Sequence, residues 1–132
     1  MAANTLYILL CSGEHEKVQM AAMLASVAAV SERPVEVFVS MNALLAFAKD
    51  APADARYHGG AFSKLLKEKK APDPINLFRQ GRELGDLKLW ACSMALDVQG
   101  WELDKLEGEL FEDALGLTKF LSDAESGQFV TL

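Results

Sequence analysis

Residues 87–100 read LKLWACSMALDVQG, an apolar run that passes directly into a helix-like stretch ending at a glycine. Residues 87–92 are typical of a buried strand, and residues 93–99 are typical of a helix that Gly100 ends. A strand followed by a helix is the repeating unit of a parallel sheet, because parallel strands must be joined by a crossover. This stretch therefore predicts an α/β fold.

The same unit recurs on both sides of this stretch. Residues 50–74 are less regular, with three prolines and the pair Gly59-Gly60, and such a long connection is usually functional or mobile. Gly85 is a plausible C-cap for the helix before it. The predicted strands are residues 5–11, 35–40, 87–92 and 128–132, and the predicted helices are residues 14–31, 42–49, 61–70, 75–84, 93–99 and 109–124.

The alternation of helices and strands predicts a three-layer, flavodoxin-like α/β fold, with a parallel sheet and helices on both faces. We expect the strand order 2-1-3-4, which places the first strand beside the third and the topological switch point between them. A chain of 132 residues, of which 51% are hydrophobic, fits a single domain spanning residues 1–132.

The charge and cysteine content narrow the class of protein. The net charge of −6 is a poor match for nucleic-acid phosphates, and the basic residues between 64 and 70 are typical of a solvated helix end. No apolar stretch reaches the roughly 20 residues of a membrane span, and the first residues do not resemble a secretory signal. We therefore expect a cytoplasmic protein whose two cysteines are thiols, without nucleic-acid or membrane partners.

Both cysteines end predicted strands. Cys11 ends the first strand and Cys92 ends the third, so the expected strand order puts them side by side where α/β proteins bind ligands. Cys92 also precedes a helix start, which favours an anion and hence a nucleophilic thiolate, and Ser93 could cap that helix or donate to the sulfur. Free cysteine is also among the most buried residue types, and position alone leaves both interpretations open.

Cys11 is followed by polar residues that could assist a thiolate. Ser12 comes next, and His15 falls in the first turn of the first helix, from where a cationic imidazole could stabilise a thiolate. A solvent-facing histidine is the alternative interpretation. The sequence lacks C-x-x-C, G-x-G-x-x-G, P-loop and G-x-S-x-G motifs and metal-ligand spacings, so we expect neither a cofactor nor a metal.

Residues 78–101, FRQGRELGDLKLWACSMALDVQGW, resemble the DsrE/DsrF-like family, in which a helix leads into a glycine, a strand and then a cysteine. Residues 6–30, 35–50 and 114–132 are similar to the family's first two strand–helix units and its closing helix and strand. The run Cys92-Ser-Met resembles the branch that carries a peroxiredoxin label. This chain has no P-x-x-x-T-x-x-C motif, so peroxidase chemistry is not expected.

The resemblance implies a small sulfur carrier or sulfurtransferase. The family's cysteine at the position of Cys92 takes up sulfane sulfur as a persulfide and passes it on. The resemblance further implies trimers or hexamers and TusA-like or rhodanese-like partners. Residues 50–74 are longer than the corresponding connections of the family's relay subunits, which puts those specific partners in doubt.

Two other functions stay open at this point. One is a non-catalytic, oligomeric module for ligand binding or assembly, in which Cys92 is merely packed. The other is a thiol redox switch that pairs Cys11 with Cys92, which requires Cα atoms within about 7 Å of each other. In the sulfur-carrier hypothesis, Cys11 is a second sulfur-bearing or resolving thiol.

Overall fold

The structure is a computed structural model that describes residues 4–132. Five parallel strands form one sheet, with helices on both faces, so the predicted α/β architecture is confirmed. The strands are β1 (Leu6–Leu10), β2 (Val35–Val39), β3 (Leu87–Cys92), β4 (Phe111–Leu115) and β5 (Gln128–Thr131). The helices are α1 (His15–Val30), α2 (Asn42–Leu45), α3 (Ala53–Arg56), α4 (Ala61–Glu68), α5 (Pro74–Leu84), α6 (Ser93–Gln99) and α7 (Leu117–Ala124), with a 3₁₀ turn at Leu103–Lys105.

The strand order is β4-β3-β2-β1-β5, so the predicted order 2-1-3-4 is wrong. Strand β3 pairs with β2 and not with β1, and the terminal strand β5 lies on the other side of β1. Strands that are buried on both faces all read as similar apolar runs, so their patterns do not encode which strand lies beside which. The switch point therefore falls between β1 and β5.

One face of the sheet is covered by α1 and α5, which pack closely together. Four alanines of α1 are buried in this layer, and Gly81 of α5 lies against Leu87 and the backbone of Ser26. A Cβ at Gly85 would overlap the backbone carbonyl of Ala29. Gly85 is the C-cap residue of α5, as predicted, and because its φ of −153° is extended, the close approach to Ala29 explains why a glycine stands there. The buried alanines are Ala21, Ala22, Ala25 and Ala29.

The opposite face carries α7. Phe120 of α7 is fully buried, and its ring contacts those of Tyr7 and Phe38, with ring centroids 5.7 and 5.1 Å apart. This helix supplies the third layer of the fold. Helix α6 follows β3 directly, and Gly100 ends it in the left-handed region, with φ 71°, as the sequence predicted.

The predicted helix 109–124 is wrong in its first half, where Phe111–Leu115 forms the edge strand β4. Only one edge of β4 is paired, and Glu112 and Asp113 face solvent, so the strand lacks the apolar pattern of its neighbours. Gly116 then caps α7. The helix predicted at 42–49 is also too long, since α2 spans only Asn42–Leu45.

Residues 50–74 are tied to the rest of the chain by polar contacts. Arg56 donates to the carbonyls of Ala46 and Ala51 and pairs with Glu107 at 2.8 Å, and Arg79 pairs with the same carboxylate at 2.9 Å. This segment contains α3 and α4 and packs over the start of α1 through His15. Within residues 4–132, no helix is long and apolar enough to cross a membrane.

Candidate functional site

The two thiols lie at the carboxyl edge of the sheet, on strands that are not neighbours. Leu10 pairs with Val39, and Val39 pairs with Ala91, so Cys11 and Cys92 follow their strands at the same level with β2 between them. Two strand spacings of about 4.8 Å put their Cα atoms roughly 10 Å apart. The predicted side-by-side placement is therefore wrong, although both cysteines do end strands at one edge.

This separation bears on the chemistry of the two thiols. Both cysteines are free. Disulfide geometry needs Cα atoms about 4.4–6.8 Å apart, so a direct bridge between them would require β2 to move out of the sheet. The spacing of β1 and β3 therefore argues against the redox switch between Cys11 and Cys92.

Cys92 is the N-cap residue of α6 and is only 5% exposed. The first N–H groups of a helix have no partner within the helix, and those of α6 begin at Ser93, which is half-buried. The next residue, Met94, is 53% exposed, whereas Ala95 and Leu96 are buried beside the cysteine. The Cys92 thiol is therefore largely shielded from water.

Cys11 is partly exposed and lies at the switch point between β1 and β5. Its Sγ is 3.6 Å from the carbonyl oxygen of Leu132, and the Ser12 hydroxyl accepts from the Glu14 N–H at 3.2 Å. Ligands of open α/β sheets bind beyond the carboxyl ends of the strands at such a switch point. The crevice position predicted for both thiols is therefore occupied by Cys11, and Cys92 lies two strands away.

His15 does not stand beside a thiol in the way its position suggested. It is 3% exposed, its Nδ1 is 2.7 Å from the Ser63 hydroxyl, and its ring stacks on Tyr57 with centroids 4.7 Å apart. Burial lowers the pKa of His15, and the Lys67 ammonium lowers it further, whereas Asp73 opposes them. A buried ring that contacts Ser63 and Tyr57, and whose pKa is lowered, is a poor source of the positive charge expected to stabilise a thiolate.

Sequence reasoning missed the residues that surround His15. Tyr57 is buried and donates to Asp73 Oδ1 at 2.7 Å, and burial together with Asp73 raises its pKa. Gln19, one turn after His15, donates from Nε2 to the Pro72 carbonyl at 2.9 Å. The prolines marked this region as unusual, but nothing in the sequence pairs Ser63 with a histidine 48 positions earlier.

Metal binding finds no structural support in the described part of the chain. There, no group of three or more histidine, cysteine, aspartate or glutamate side chains is arranged to hold a metal ion.

Comparison with known proteins defines the class of fold. The chain matches no protein-family model and no curated protein. Among solved structures it is similar to MTH1491 from Methanobacterium thermoautotrophicum, a protein of unknown function, with a TM-score of 0.63, 13% identity, and coverage of 98% of this chain and 99% of that one. It is also similar to the ychN protein from E. coli, with a TM-score of 0.63, 12% identity and full coverage of both chains. At such identity, these likenesses show a shared fold over the whole length.

Proposed function

We propose that this chain is a small cytoplasmic sulfur carrier or sulfurtransferase of the DsrE/DsrF-like family, which holds sulfane sulfur as a persulfide on Cys92 and passes it to a partner thiol. The observation that carries the proposal is the position of Cys92, a free thiol at the end of a central strand and the start of α6. The resemblance of residues 78–101 to the family's cysteine segment supports it.

The proposed transfer is a balanced exchange of one sulfur atom. The Cys92 thiolate attacks the outer sulfur of a donor persulfide, R–S–SH, whose inner S–S bond breaks to release R–S⁻ and leave Cys92–S–SH. An acceptor thiolate then attacks the outer sulfur of Cys92–S–SH, becomes a persulfide itself and returns Cys92 to the thiolate. No external oxidant or reductant is consumed, because the sulfane sulfur keeps its oxidation state.

The burial of Cys92 fits a carrier that protects its cargo. With the residue only 5% exposed, a persulfide there would be shielded from bulk solvent and from small thiols. Delivery then requires a partner that gains access to the buried thiol. Cys11, the partly exposed thiol at the switch point, is proposed as a second sulfur-bearing group, and TusA-like or rhodanese-like proteins are proposed as donors or acceptors.

A homo-oligomer, a trimer or hexamer by the resemblance, is part of the proposal. Four large apolar side chains of α1 are 44–66% exposed. Three of them, Met20, Met23 and Val27, line a groove of about 620 Å³ together with Gln128 and Val130 of β5. Contiguous apolar surfaces of this kind mark interaction sites. The four side chains are Met20, Met23, Val27 and Val30.

A second candidate function is a non-catalytic module for oligomeric assembly or ligand binding. The same burial of Cys92 favours it, since a small apolar thiol is an ordinary core residue. The two candidates differ in whether Cys92 gains sulfur.

Sulfur loading of the full chain tests the proposal. Wild type, Cys92→Ser and Cys11→Ser are incubated with polysulfide, and the sulfur added to each cysteine is located by peptide mass spectrometry under non-reducing conditions. We expect a persulfide on Cys92 in wild type and Cys11→Ser, and its discharge by an added acceptor thiol. Folded protein that gains no sulfur on Cys92 would refute the carrier function. The non-catalytic module would then be the remaining candidate.

A further inference from the structure

Strand β5 forms a free outer edge of the sheet. Within residues 4–132, it pairs with β1 and with no other strand. The Gln128 N–H donates to the Thr5 carbonyl at 3.0 Å, so the backbone groups of Gln128 face β1. Because this direction alternates along a strand, the N–H and C=O groups of Phe129 and Thr131 point outward. The edge therefore offers two donors and two acceptors to another strand.

The two outer strands of the sheet differ in how they protect their free edges. Strand β4 carries Glu112 and Asp113, and its register with β3 shifts between Leu89 and Trp90. Charges and irregular register are features by which natural sheets prevent further strands from adding. Strand β5 reads QFVT, with neither a charge nor a proline, and its register with β1 is continuous. The composition of β5 therefore favours the addition of a strand, whereas that of β4 opposes it.

Apolar side chains border the β5 edge on both faces of the sheet. On the α1 face, Val130 lines the groove of about 620 Å³ together with Met20, which is 47% exposed. On the α7 face, Phe129 is 41% exposed, although its ring centroid lies 6.3 Å from that of Phe120. Exposed apolar groups on both sides of an open strand edge mark a surface that another chain covers.

We infer that β5 of a second copy occupies this edge, paired antiparallel about a two-fold axis at Val130. In this register Phe129 lies opposite the partner's Thr131, and the two residues exchange both backbone hydrogen bonds. The axis repeats this exchange, so four hydrogen bonds satisfy every outward group of the two residues in each copy. A register centred on Phe129 would instead place Thr131 opposite Gly127, whose N–H already donates to the Ala124 carbonyl. A second copy also brings the same uncharged edge and the same apolar borders.

This contact specifies how two copies meet, and it rests on the homo-oligomer that is part of the proposed function. It joins two five-stranded sheets into one continuous sheet. A two-fold contact occurs in a dimer, or in a hexamer built from two trimers, but not in an isolated trimer. Cys92 ends β3, which is separated from β5 by β2 and β1, so loss of the contact would leave the sulfur chemistry of Cys92 intact.

Disulfide trapping in the full chain tests the register. The background carries Cys11→Ser and Cys92→Ser, and one cysteine is introduced as Val130→Cys or, for the control, as Gln128→Cys. At position 130 the two Cα atoms would lie about 4.5 Å apart in a non-hydrogen-bonded pair, within disulfide range, whereas at position 128 they would lie roughly 14 Å apart. With oxidised glutathione we expect the Val130→Cys chain to form a covalent dimer at least about tenfold faster than the control. Equal rates would overturn the inference.

Analytical ultracentrifugation over a concentration series tests the hydrogen bonds. Thr131→Pro removes one outward N–H from each copy, and proline is tolerated on an edge strand where the N–H faces away from the sheet. Thr131→Val keeps this N–H and is the matched control. We expect wild type and Thr131→Val to sediment as dimers or hexamers, and the two-fold contact of Thr131→Pro to be at least about tenfold weaker, since two hydrogen bonds are lost. A monomeric or trimeric wild type, or equal association of the two variants, would overturn the inference, whereas the carrier function stands or falls on sulfur loading of Cys92.

Discussion

The hydrogen bond between Ser63 and His15 should be among the costliest polar contacts to remove. Both residues are 3% exposed, and the Ser63 hydroxyl is 2.7 Å from His15 Nδ1. Ser63→Ala leaves the ring nitrogen buried without a partner, which costs about 1–3 kcal/mol, and the better helix propensity of alanine returns at most about 0.5 kcal/mol. We predict a net loss of about 0.5–2.5 kcal/mol, or a Tm lower by about 2–8 °C for a chain of this size.

Urea denaturation followed by circular dichroism measures this loss. An unchanged m-value would show that unfolding still exposes the same amount of surface. Ser122→Ala, at an exposed position of α7, is the matched control and should stay within about 0.5 kcal/mol of wild type. Amide hydrogen exchange locates the effect, because α4 should lose protection before the sheet does. A Ser63→Ala protein as stable as wild type, with α4 equally protected, would refute the role assigned to this bond.

Three further predictions follow from burial and close packing. Burial lowers the pKa of His15, so the unfolded chain binds a proton at His15 more readily than the folded chain does, and stability should fall as pH drops below about 6.5. In urea titrations at several pH values, His15→Gln should lose less stability on acidification than wild type. Identical pH profiles of the two proteins would contradict this. Gly85→Ala places a Cβ against the Ala29 carbonyl of α1 and should lower the unfolding free energy by about 3 kcal/mol. The control Gly60→Ala, which has open space around it, should lower it by less than about 1 kcal/mol. Equal losses would be inconsistent with a close approach of α5 to α1 at Gly85. Iodoacetamide should label Cys11 before Cys92 in the native protein, because Cys92 is only 5% exposed and Cys11 is partly exposed. In urea the two cysteines should be labelled at similar rates. Faster labelling of Cys92 in the native protein would show that its thiol is accessible.

The sequence predicted those elements whose apolar pattern is strong. Strands β1, β2 and β3 and helix α1 lie within a residue or two of their predicted bounds, because buried parallel strands and an alanine-rich helix have distinctive compositions. Strand β4 was missed because its outward residues Glu112 and Asp113 and its single paired edge give it no buried signature. Gly116 was the available signal, since it separates the strand from α7.

The apolar pattern of the sequence could not predict which distant segments lie next to each other. Cys11 and Cys92 were expected at the carboxyl edge, and both lie there, because the strand boundaries alone determine that edge. Their supposed adjacency depended on strand order, which depends on how each crossover returns to the sheet. His15 was predicted in the first turn of α1 and lies there. Its side-chain orientation is set by Ser63 and Tyr57, which belong to the irregular segment 50–74.

The interposed strand β2 also affects how the proposed sulfur carrier could work. A thiol that attacks the inner sulfur of a nearby persulfide forms a disulfide and releases hydrogen sulfide, which ends the carrier state. With Cα atoms roughly 10 Å apart across β2, Cys11 cannot reach a persulfide on Cys92 in this way. Sulfur on Cys92 would therefore persist until a partner thiol reaches it. By the same reasoning, sulfur that arrives at Cys11 must leave the molecule on a carrier before it can reach Cys92. The separation of the two thiols thus favours two independently loaded positions over a resolving pair, and a Cys11→Ser variant should keep its Cys92 persulfide for as long as wild type does.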